Sequence, residues 1–290
     1  MRNVASTSCS RPKAKPLMDL GIMVDDETRP AEFVEALAKG IAVLECFDAA
    51  HSDMTLSEIA RRVGLSPAAA RRSLITLSAL GYVGFSGKRY HLRPKVMTLG
   101  SGFYFAARID ELLLPELRQI VEAHGDAASV AMLDGHDVIY IAHHSTQRAR
   151  RATAVVGARY PAHATSLGRV LLAGLSDPEL DRYFESVEPK ALTSRTVVSK
   201  EELRRLIWKV RETGYATTVD QLDYGITALA VPIRNADGRI TAAVNSSGYS
   251  GLVSADQMVA ERLQDLRIAA GRITAASARA PALSAVLNGN

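Results

Sequence analysis

The segment TLSEIARRVGLSPAAARRSLITLSALG, residues 55–81, constrains the fold of this chain more than any other. Its first half has apolar residues at helical spacing, and Thr55 or Ser57 can cap that helix. The apolar stripe consists of Leu56, Ile59, Ala60 and Val63. Gly64 follows, where a short turn needs a residue free to adopt a positive φ. Ser66 and Pro67 then start a second helix, because serine caps free backbone N–H groups and proline at the first position loses no hydrogen bond.

The second predicted helix covers residues 66–79 and is followed by a stop signal and a hairpin. Leu74, Leu77 and Leu80 recur along one side of it, and Gly81 is a favourable residue for ending a helix. The residues that follow, YVGFSGKRYHL, have the spacing of two strands with residues 86–89 at their turn. An earlier helix has its apolar residues at Phe33, Leu37, Ile41, Leu44 and Phe47. Helix, helix, turn, helix and hairpin in this order predict a winged helix-turn-helix domain over residues 31–95.

Basic residues concentrate in this predicted domain. Between Thr55 and Gly100 the chain has eight arginines and lysines and one acidic residue, a net charge of +7, whereas the whole chain has a net charge of +4. Such a concentration on a small domain is typical of a protein that binds a polyanion. Double-stranded DNA is therefore the predicted partner.

The second helix of a helix-turn-helix enters the major groove, so its first residues are the candidates for contact with bases. Arg71 and Arg72 could also be ordinary solvated charges, but in this context their guanidinium groups suit phosphates or the edge of guanine. Lys88 and Arg89 lie at the hairpin turn, where a wing touches DNA. The predicted DNA contacts are Ser66, Ala68, Ala69, Arg71, Arg72, Thr76, Lys88 and Arg89, with Arg61 and Arg62 as further phosphate contacts.

The remaining residues predict four further regions. Residues 1–30 are rich in serine, proline and lysine without apolar periodicity, which is typical of a flexible arm. Residues 96–124 are expected to form a linker helix interrupted at Pro115, and residues 279–290 a C-terminal tail. Residues 125–278 interleave strands with helices, which predicts an α+β effector-binding domain. Its predicted elements include hairpin turns at 134–135 and 235–238, a strand at 151–157, and helices at 166–175, 199–214 and 254–274.

The chain lacks the sequence signals of several other classes of protein. It has no run of about 18 apolar residues and no secretory signal, so we expect a cytoplasmic protein without a membrane partner. Cys9 and Cys46 are its two cysteines, too few for a disulfide framework, and Cys46 is expected in a core. The charge run Arg148, Arg150 and Arg151 is expected to be a solvated loop.

No catalytic or cofactor motif is found. A nucleophile elbow, a complete dinucleotide fingerprint and a Walker sequence are missing, so we expect neither an enzyme nor a cofactor. A metal is not expected either, although His143, His144, His163 and Asp220 are ligands by residue type. Adjacent histidines on a strand point to opposite faces and cannot easily bind one ion. An enzyme with an accessory DNA-binding domain stays an alternative.

Several segments resemble the IclR family of transcriptional regulators. They are LAKGIAVLECFDAA, MTLSEIARRVGLSPAAARRSLITLSALGYVGFSGKRYHLRPKVMTLG, GARYPAHATSLGRVLLA, GYATTVDQLDYGITALAVPI and AAVNSSG, which occur in the family's order from about residue 33 to residue 273. The segments AARRSLITLSALGYV, LDGHDVIYIA and ATSLGRVLLA also resemble the PcaR/PcaU/PobR branch, which controls aromatic-acid catabolism through the β-ketoadipate pathway.

The resemblance implies a GAF-like effector domain, a small organic acid as effector, and homodimers or dimers of dimers on a palindromic operator. The effector residues implied by alignment are Ser166, Leu167, Asp220, Ala228, Asn245 and Ser247, with Thr218 as an alternative to Asp220. Ser166 is expected to cap a helix over residues 167–174, so that free N–H groups meet an anion. Asn245 and Ser247 alternate on a strand and so face the same side. His163 stands where the branch often has tyrosine, and a regulator with an unrelated effector or none stays an alternative.

Overall fold

The computed structural model describes residues 30–48, 50–146, 154–278 and 280–288. The predicted arm, apart from its last residue, and the predicted loop arginines Arg148, Arg150 and Arg151 lie outside these residues. The chain divides into two compact units, Met1–Val96 and Met97–Asn290.

The helix caps of the N-terminal unit follow from its sequence. The Thr55 hydroxyl accepts a hydrogen bond from the Glu58 backbone N–H, and the Glu58 carboxylate accepts one from the Thr55 N–H, a reciprocal capping box. The Ser66 hydroxyl accepts from the Ala69 N–H at 3.2 Å. The elements are α1 (Glu35–Glu45), β1 (Asp53–Thr55), α2 (Leu56–Arg62), α3 (Pro67–Ala79), β2 (Val83–Ser86), β3 (Arg89–Leu92) and a 3₁₀ turn at Pro94–Val96.

The predicted winged helix-turn-helix is confirmed, with one strand that was not predicted. In the described residues β1 pairs antiparallel with β3, which extends the hairpin to three strands in the order β1-β3-β2. Ile59, Leu74 and Val83 are buried together between the helices and this small sheet. Cys46 is fully buried in the same core, as expected, and burial raises the pKa of its thiol to about 11.

The C-terminal unit is built on an antiparallel sheet. In the described residues it has six strands, in the order β6-β5-β4-β9-β8-β7. Its elements are α4 (Met97–Ala106), α5 (Ile109–Leu112), α6 (Leu114–His124), β4 (Ala127–Asp134), β5 (Asp137–Ser145), β6 (Arg159–Pro161), a 3₁₀ turn (Ala162–Ala164), α7 (Ser166–Ala173), α8 (Asp177–Ser186), α9 (Lys200–Thr213), β7 (Ala216–Val219), β8 (Ile226–Arg234), β9 (Ile240–Tyr249), α10 (Ala255–Ser277) and α11 (Pro281–Asn288).

Helices cover both faces of this sheet, so the unit has two apolar cores. On one face Leu229 and Val244 pack with residues of α6 and α10. On the other, Ala230 and Ala243 pack with residues of α7 and α9, among them Leu167. We call the second surface the α7 face. This arrangement confirms the predicted α+β class.

Four expectations for the C-terminal half need correction. The linker is interrupted near Pro115 as expected, since α6 starts anew at Leu114, but it has a further break that was not predicted, because Arg108 has a left-handed backbone (φ 51°) that separates α4 from α5. Residues 154–157 form no strand; they turn at Gly157 (φ 85°), and the short strand β6 follows. Helix α8 was not predicted. Most of the predicted tail is the helix α11, whose Leu283 and Leu287 are buried against the α10 core.

Candidate DNA-binding helix and effector site

One side of α3 is exposed and basic. Ala70, Leu74 and Leu77 are buried, whereas the opposite side is open to solvent. The exposed side consists of Ala68, Arg71, Arg72, Ile75, Thr76 and Ala79, which are spaced at threes and fours and therefore form one continuous stripe. Neither Arg71 nor Arg72 makes an ion pair or side-chain hydrogen bond with another described residue. Both guanidinium groups are thus available to a ligand.

The structure separates the other predicted DNA contacts into available and engaged side chains. Lys88 is exposed in the two-residue turn between β2 and β3. The neighbouring Arg89 pairs with Asp53 at 3.1 Å and with Glu58 at 3.4 Å. Arg62 donates to the Cys46 carbonyl at 2.8 Å and pairs with Asp48. The hydroxyl of Thr76 donates to the Arg72 carbonyl at 3.1 Å and is therefore engaged within the helix.

Ile75 is the residue on this surface that sequence analysis missed. Its side chain is 56% exposed, in the middle of the basic stripe. Its spacing of four and three residues from Arg71 and Arg72 already indicates this position on the helix. An exposed apolar side chain on such a helix suits the methyl group of thymine.

The candidate effector site begins at the first turn of α7. The predicted cap is wrong: Thr165, not Ser166, caps this helix, and its hydroxyl accepts from the Gly168 N–H at 3.0 Å. Ser166 and Leu167 are therefore the first two helical residues, whose N–H groups have no acceptor within a helix. The Ser166 hydroxyl is buried without a hydrogen-bond partner in the described residues. The first turn thus keeps three donors unengaged by the helix itself.

Gly168 allows this turn to approach the preceding chain. A Cβ added at Gly168 would lie 2.1 Å from the Ala162 carbonyl oxygen, closer than any real contact. The backbone of α7 therefore packs directly on the 3₁₀ turn, and only glycine fits at this position.

Two rows of residues cross the α7 face of the sheet. One runs through Thr218, Ala228 and Ser247, which are paired across β7, β8 and β9. The other runs through Ala230, Asn245, Ser129 and His143, across β8, β9, β4 and β5. Residues directly opposite in an antiparallel ladder lie on the same face, so both rows belong to the α7 face. Leu167, Ala228, Asn245 and Ser247 thus lie on the same side of the sheet.

The structure gives Thr218 and Asp220 different surroundings. Asp220 has a left-handed backbone (φ 53°), and its carboxylate accepts from the Gly225 N–H at 2.6 Å and from the Ser250 hydroxyl at 2.8 Å. Those bonds hold the loop between β7 and β8. Thr218 is buried on the α7 face opposite Ala228. Of the two alternatives, Thr218 has the position of a pocket side chain.

Arg169 is a buried charge that sequence analysis did not select. Only 3% of the residue is exposed, and its guanidinium donates to the His163 carbonyl, the Thr217 carbonyl and the Gln221 side chain. Burial lowers its pKa to about 10. It pairs with no carboxylate among the described residues, so it anchors the start of α7 to β7 through neutral oxygens.

Neither a metal site nor a membrane span is found in the part of the chain that the structure describes. It contains no group of three histidine, cysteine or acidic side chains placed to hold an ion. Its helices are all too short or too polar to cross a bilayer.

A winged helix-turn-helix followed by an α+β unit with a buried polar site defines a DNA-binding transcriptional regulator with an effector domain. Comparison with known proteins gives the particular family. The model of the IclR helix-turn-helix domain matches residues 36–86, and that of the bacterial transcriptional regulator IclR C-terminal domain matches residues 106–275. The chain belongs to the IclR family, and its helix-turn-helix domain makes DNA its partner.

Three relatives illustrate the similarity. The Pca regulon regulatory protein of Pseudomonas putida is 36% identical over 246 residues, 84% of each chain. The p-hydroxybenzoate hydroxylase transcriptional activator of Acinetobacter baylyi is 29% identical, over 86% of this chain and 93% of its own. The crystal structure of an IclR homolog from Microbacterium hydrocarbonoxydans complexed with 4-hydroxybenzoate is 25% identical, with a TM-score of 0.67 over 83% of this chain and 98% of its own.

Proposed function

We propose that this protein regulates the breakdown of aromatic acids, and that an aromatic acid binds between the first turn of α7 and the α7 face of the sheet. The observation that carries this proposal is the buried Ser166 hydroxyl, which has no hydrogen-bond partner among the described residues, in a helix turn where the Ser166 and Leu167 N–H groups also have no acceptor within the helix. A buried polar atom without a partner costs free energy, and an anionic ligand would supply the missing acceptor.

The names of the relatives support the chemical class of this ligand. One relative is a regulatory protein of the Pca regulon, and another is the transcriptional activator of p-hydroxybenzoate hydroxylase. A third was crystallised with 4-hydroxybenzoate. In the proposed site the carboxylate meets the Ser166 and Leu167 N–H groups, where the helix dipole favours negative charge. The ring lies against Ala228 and Ala230, which are small, and Asn245 and Ser247 provide the polar wall.

The DNA-binding part of the proposal rests on the exposed stripe of α3. Arg71 and Arg72 contact phosphates or guanine, and Ile75 contacts a thymine methyl. The protein acts as a homodimer or a dimer of dimers in the cytoplasm. Two copies of α3 then lie in successive major grooves of a palindromic operator, about 34 Å apart. The acid changes transcription if it binds one arrangement of the dimer more tightly than another.

Ligand binding is tested by thermal shift against protocatechuate, 4-hydroxybenzoate and β-ketoadipate. A selective rise in Tm is expected for at least one acid, because a ligand that binds the folded state stabilises it. Ser166→Tyr fills the site and should abolish the rise, whereas Ser166→Ala removes one donor and should only reduce it. Circular dichroism shows whether both variants are folded. No rise with any of the three acids in the wild type overturns the ligand assignment.

DNA binding is tested separately by fluorescence anisotropy with a labelled palindrome from the protein's own promoter region. The acid that raises Tm should change the apparent Kd for this DNA. An unchanged Kd with the ligand bound would show a regulator that does not respond to that acid.

A further inference from the structure

Three residues on the α7 face form a polar row that neither the resemblance nor the proposed function uses in full. Asn245, Ser129 and His143 lie side by side on β9, β4 and β5. Adjacent strands are about 4.8 Å apart, so the row extends about 10 Å across the sheet. Ser129 and Asn245 are almost completely buried, at 3% and 4% exposure.

A β-bulge directs His143 into this site. Tyr140 and His143 are three residues apart and would point to opposite faces of a regular strand. The pairing of β4 with β5 shifts by one residue between Val130 and Ala131, so that Ile141 is the extra residue. Tyr140 and His143 therefore share the α7 face, with ring centroids 6.5 Å apart. Tyr160 packs edge-on against Tyr140 at 5.1 Å, which adds an aromatic wall. Bulges often re-aim a side chain next to a functional site.

The hydrogen bonds within the row do not use all of its donors and acceptors. The Asn245 side-chain oxygen accepts from the Ser129 N–H at 3.0 Å, which orients the amide and leaves its NH₂ group without a partner among the described residues. The Ser129 hydroxyl and His143 Nδ1 are 2.9 Å apart. The second ring nitrogen of His143, Nε2, has no hydrogen bond to a described residue. The row thus offers an amide donor, a hydroxyl and an imidazole nitrogen.

This set of groups is neutral. Burial lowers the pKa of His143, and the neighbouring His144 lowers it further, so the imidazole is uncharged at neutral pH. Neutral groups that both donate and accept suit a hydroxyl better than a carboxylate, which needs donors or positive charge.

We infer that Asn245, Ser129 and His143 form a subsite for a ring hydroxyl of the effector, and that this subsite makes the protein selective for hydroxylated aromatic acids. The inference rests on the proposed function, since the carboxylate at α7 fixes one end of the ligand. The selectivity follows because an acid without the hydroxyl leaves these buried groups unpaired, which costs more than the bond itself contributes.

The test is isothermal titration calorimetry of the full chain with benzoate, 3-hydroxybenzoate, 4-hydroxybenzoate and protocatechuate. At least one hydroxylated acid should bind the wild type about tenfold or more tightly than benzoate. Ser129→Ala and His143→Gln should each reduce this preference several-fold and leave the Kd of benzoate nearly unchanged. His144→Gln is the matched control, because His144 pairs with Ala128 on the opposite face of the sheet. It should leave the preference intact.

The outcomes distinguish the subsite from the site as a whole. Equal affinities of the wild type for benzoate and the hydroxylated acids overturn the subsite without any variant, while the proposed aromatic-acid site stands. A preference that survives in both Ser129→Ala and His143→Gln, shown to be folded by circular dichroism, places the hydroxyl elsewhere and also overturns it. If none of the four acids binds, the proposed function fails and the subsite with it.

Discussion

Among the described helices the dipeptide Arg-Arg occurs on α2, α3 and α9, and the copies on α3 and α9 have opposite surroundings. On α9, Arg204 pairs with Asp181 at 2.7 Å and Arg205 pairs with Glu202 at 2.6 Å. On α3, Arg71 and Arg72 have no acidic partner among the described residues. The same dipeptide therefore gives a neutralised surface on α9 and an unpaired cationic surface on α3. Electrostatic availability, and not the presence of arginine, distinguishes the proposed DNA-binding face.

The two candidate functional regions also differ in how the fold assembles them. The exposed stripe of α3 comes from a single helix of 13 residues, so that its members are fixed by helical spacing alone. The proposed effector site is assembled from α7 and from β4, β5, β8 and β9, which are separated by up to about 120 positions along the chain. Local periodicity can predict the first region, whereas the second depends on strand order and register.

The largest effect is expected when both free arginines are removed. Arg71→Ala with Arg72→Ala should weaken operator binding by about 100-fold or more, since each base or phosphate contact contributes about 1–3 kcal/mol. Arg204→Ala with Arg205→Ala is the matched control and should change operator affinity less than about threefold, because those side chains are paired within the protein. Fluorescence anisotropy at fixed salt measures both. A control that weakens binding as strongly would remove the distinction between the two pairs.

A second prediction compares two glycines in helices of the C-terminal unit. Gly168→Ala should lower the free energy of unfolding by about 1–3 kcal/mol and weaken acid binding, because its Cβ would collide with the backbone of Ala162. Gly271 lies in α10 with no atom within 4 Å of an added Cβ. Gly271→Ala should therefore stabilise the protein, by up to about 1 kcal/mol. Urea denaturation followed by circular dichroism gives both values. If both variants change the free energy of unfolding by the same small amount, the first turn of α7 can shift to accommodate the added Cβ.

The sequence predicted local features well, as these two sites show. The cap at Ser66 and the hairpin turn within residues 86–89 were predicted because each depends on a few adjacent residues, and Thr55 was one of the two caps predicted for α2. The cap of α7 was assigned to Ser166 instead of Thr165, since two adjacent hydroxyl residues are equally suitable by pattern. Ser129 carried no signal, and His143 stood out only as a possible metal ligand, because the proximity of the two follows from the pairing of β4 with β5 and from the bulge at Ile141. A buried arginine such as Arg169 is equally invisible to periodicity, which assigns charge to the surface.

A third prediction concerns pH and the buried histidines. His163 is 3% exposed and donates from Nε2 to the Lys190 carbonyl, while its Nδ1 is buried without a partner in the described residues. Burial lowers its pKa, the Lys190 carbonyl and Asp137 oppose this, and Arg169 adds to it. The folded state therefore binds fewer protons than the unfolded state below pH about 6.5, so stability is full above that pH and falls as the pH decreases.

The measurement is the Tm between pH about 7.5 and about 5.5, a range that avoids most carboxylate titration. The Tm of the wild type should fall by a few degrees as the pH decreases over this range, and the Tm of His163→Gln should fall by less. His51→Gln, at an exposed position beside Asp48 in the N-terminal unit, should behave like the wild type. If the Tm of His163→Gln falls as much as that of the wild type, other groups cause the acid sensitivity. His136 and His143 are candidates, because their pKa values are also lowered by burial.

The smallest effect separates two adjacent basic residues of the hairpin. Lys88 is exposed in the turn, whereas Arg89 pairs with Asp53 and Glu58. Lys88→Ala should weaken operator binding a few-fold and reduce the slope of log K against log salt by about 1 for each protomer whose hairpin touches a phosphate. Arg89→Ala should leave that slope unchanged and lower the free energy of unfolding by no more than about 1 kcal/mol, the usual size for exposed ion pairs. Anisotropy titrations at several salt concentrations measure the slopes. The opposite result, in which Arg89→Ala reduces the slope and Lys88→Ala does not, would show that the ion pairs of Arg89 break on DNA. An ion pair within the free protein would then not be a reason to exclude a side chain from the proposed DNA-binding surface.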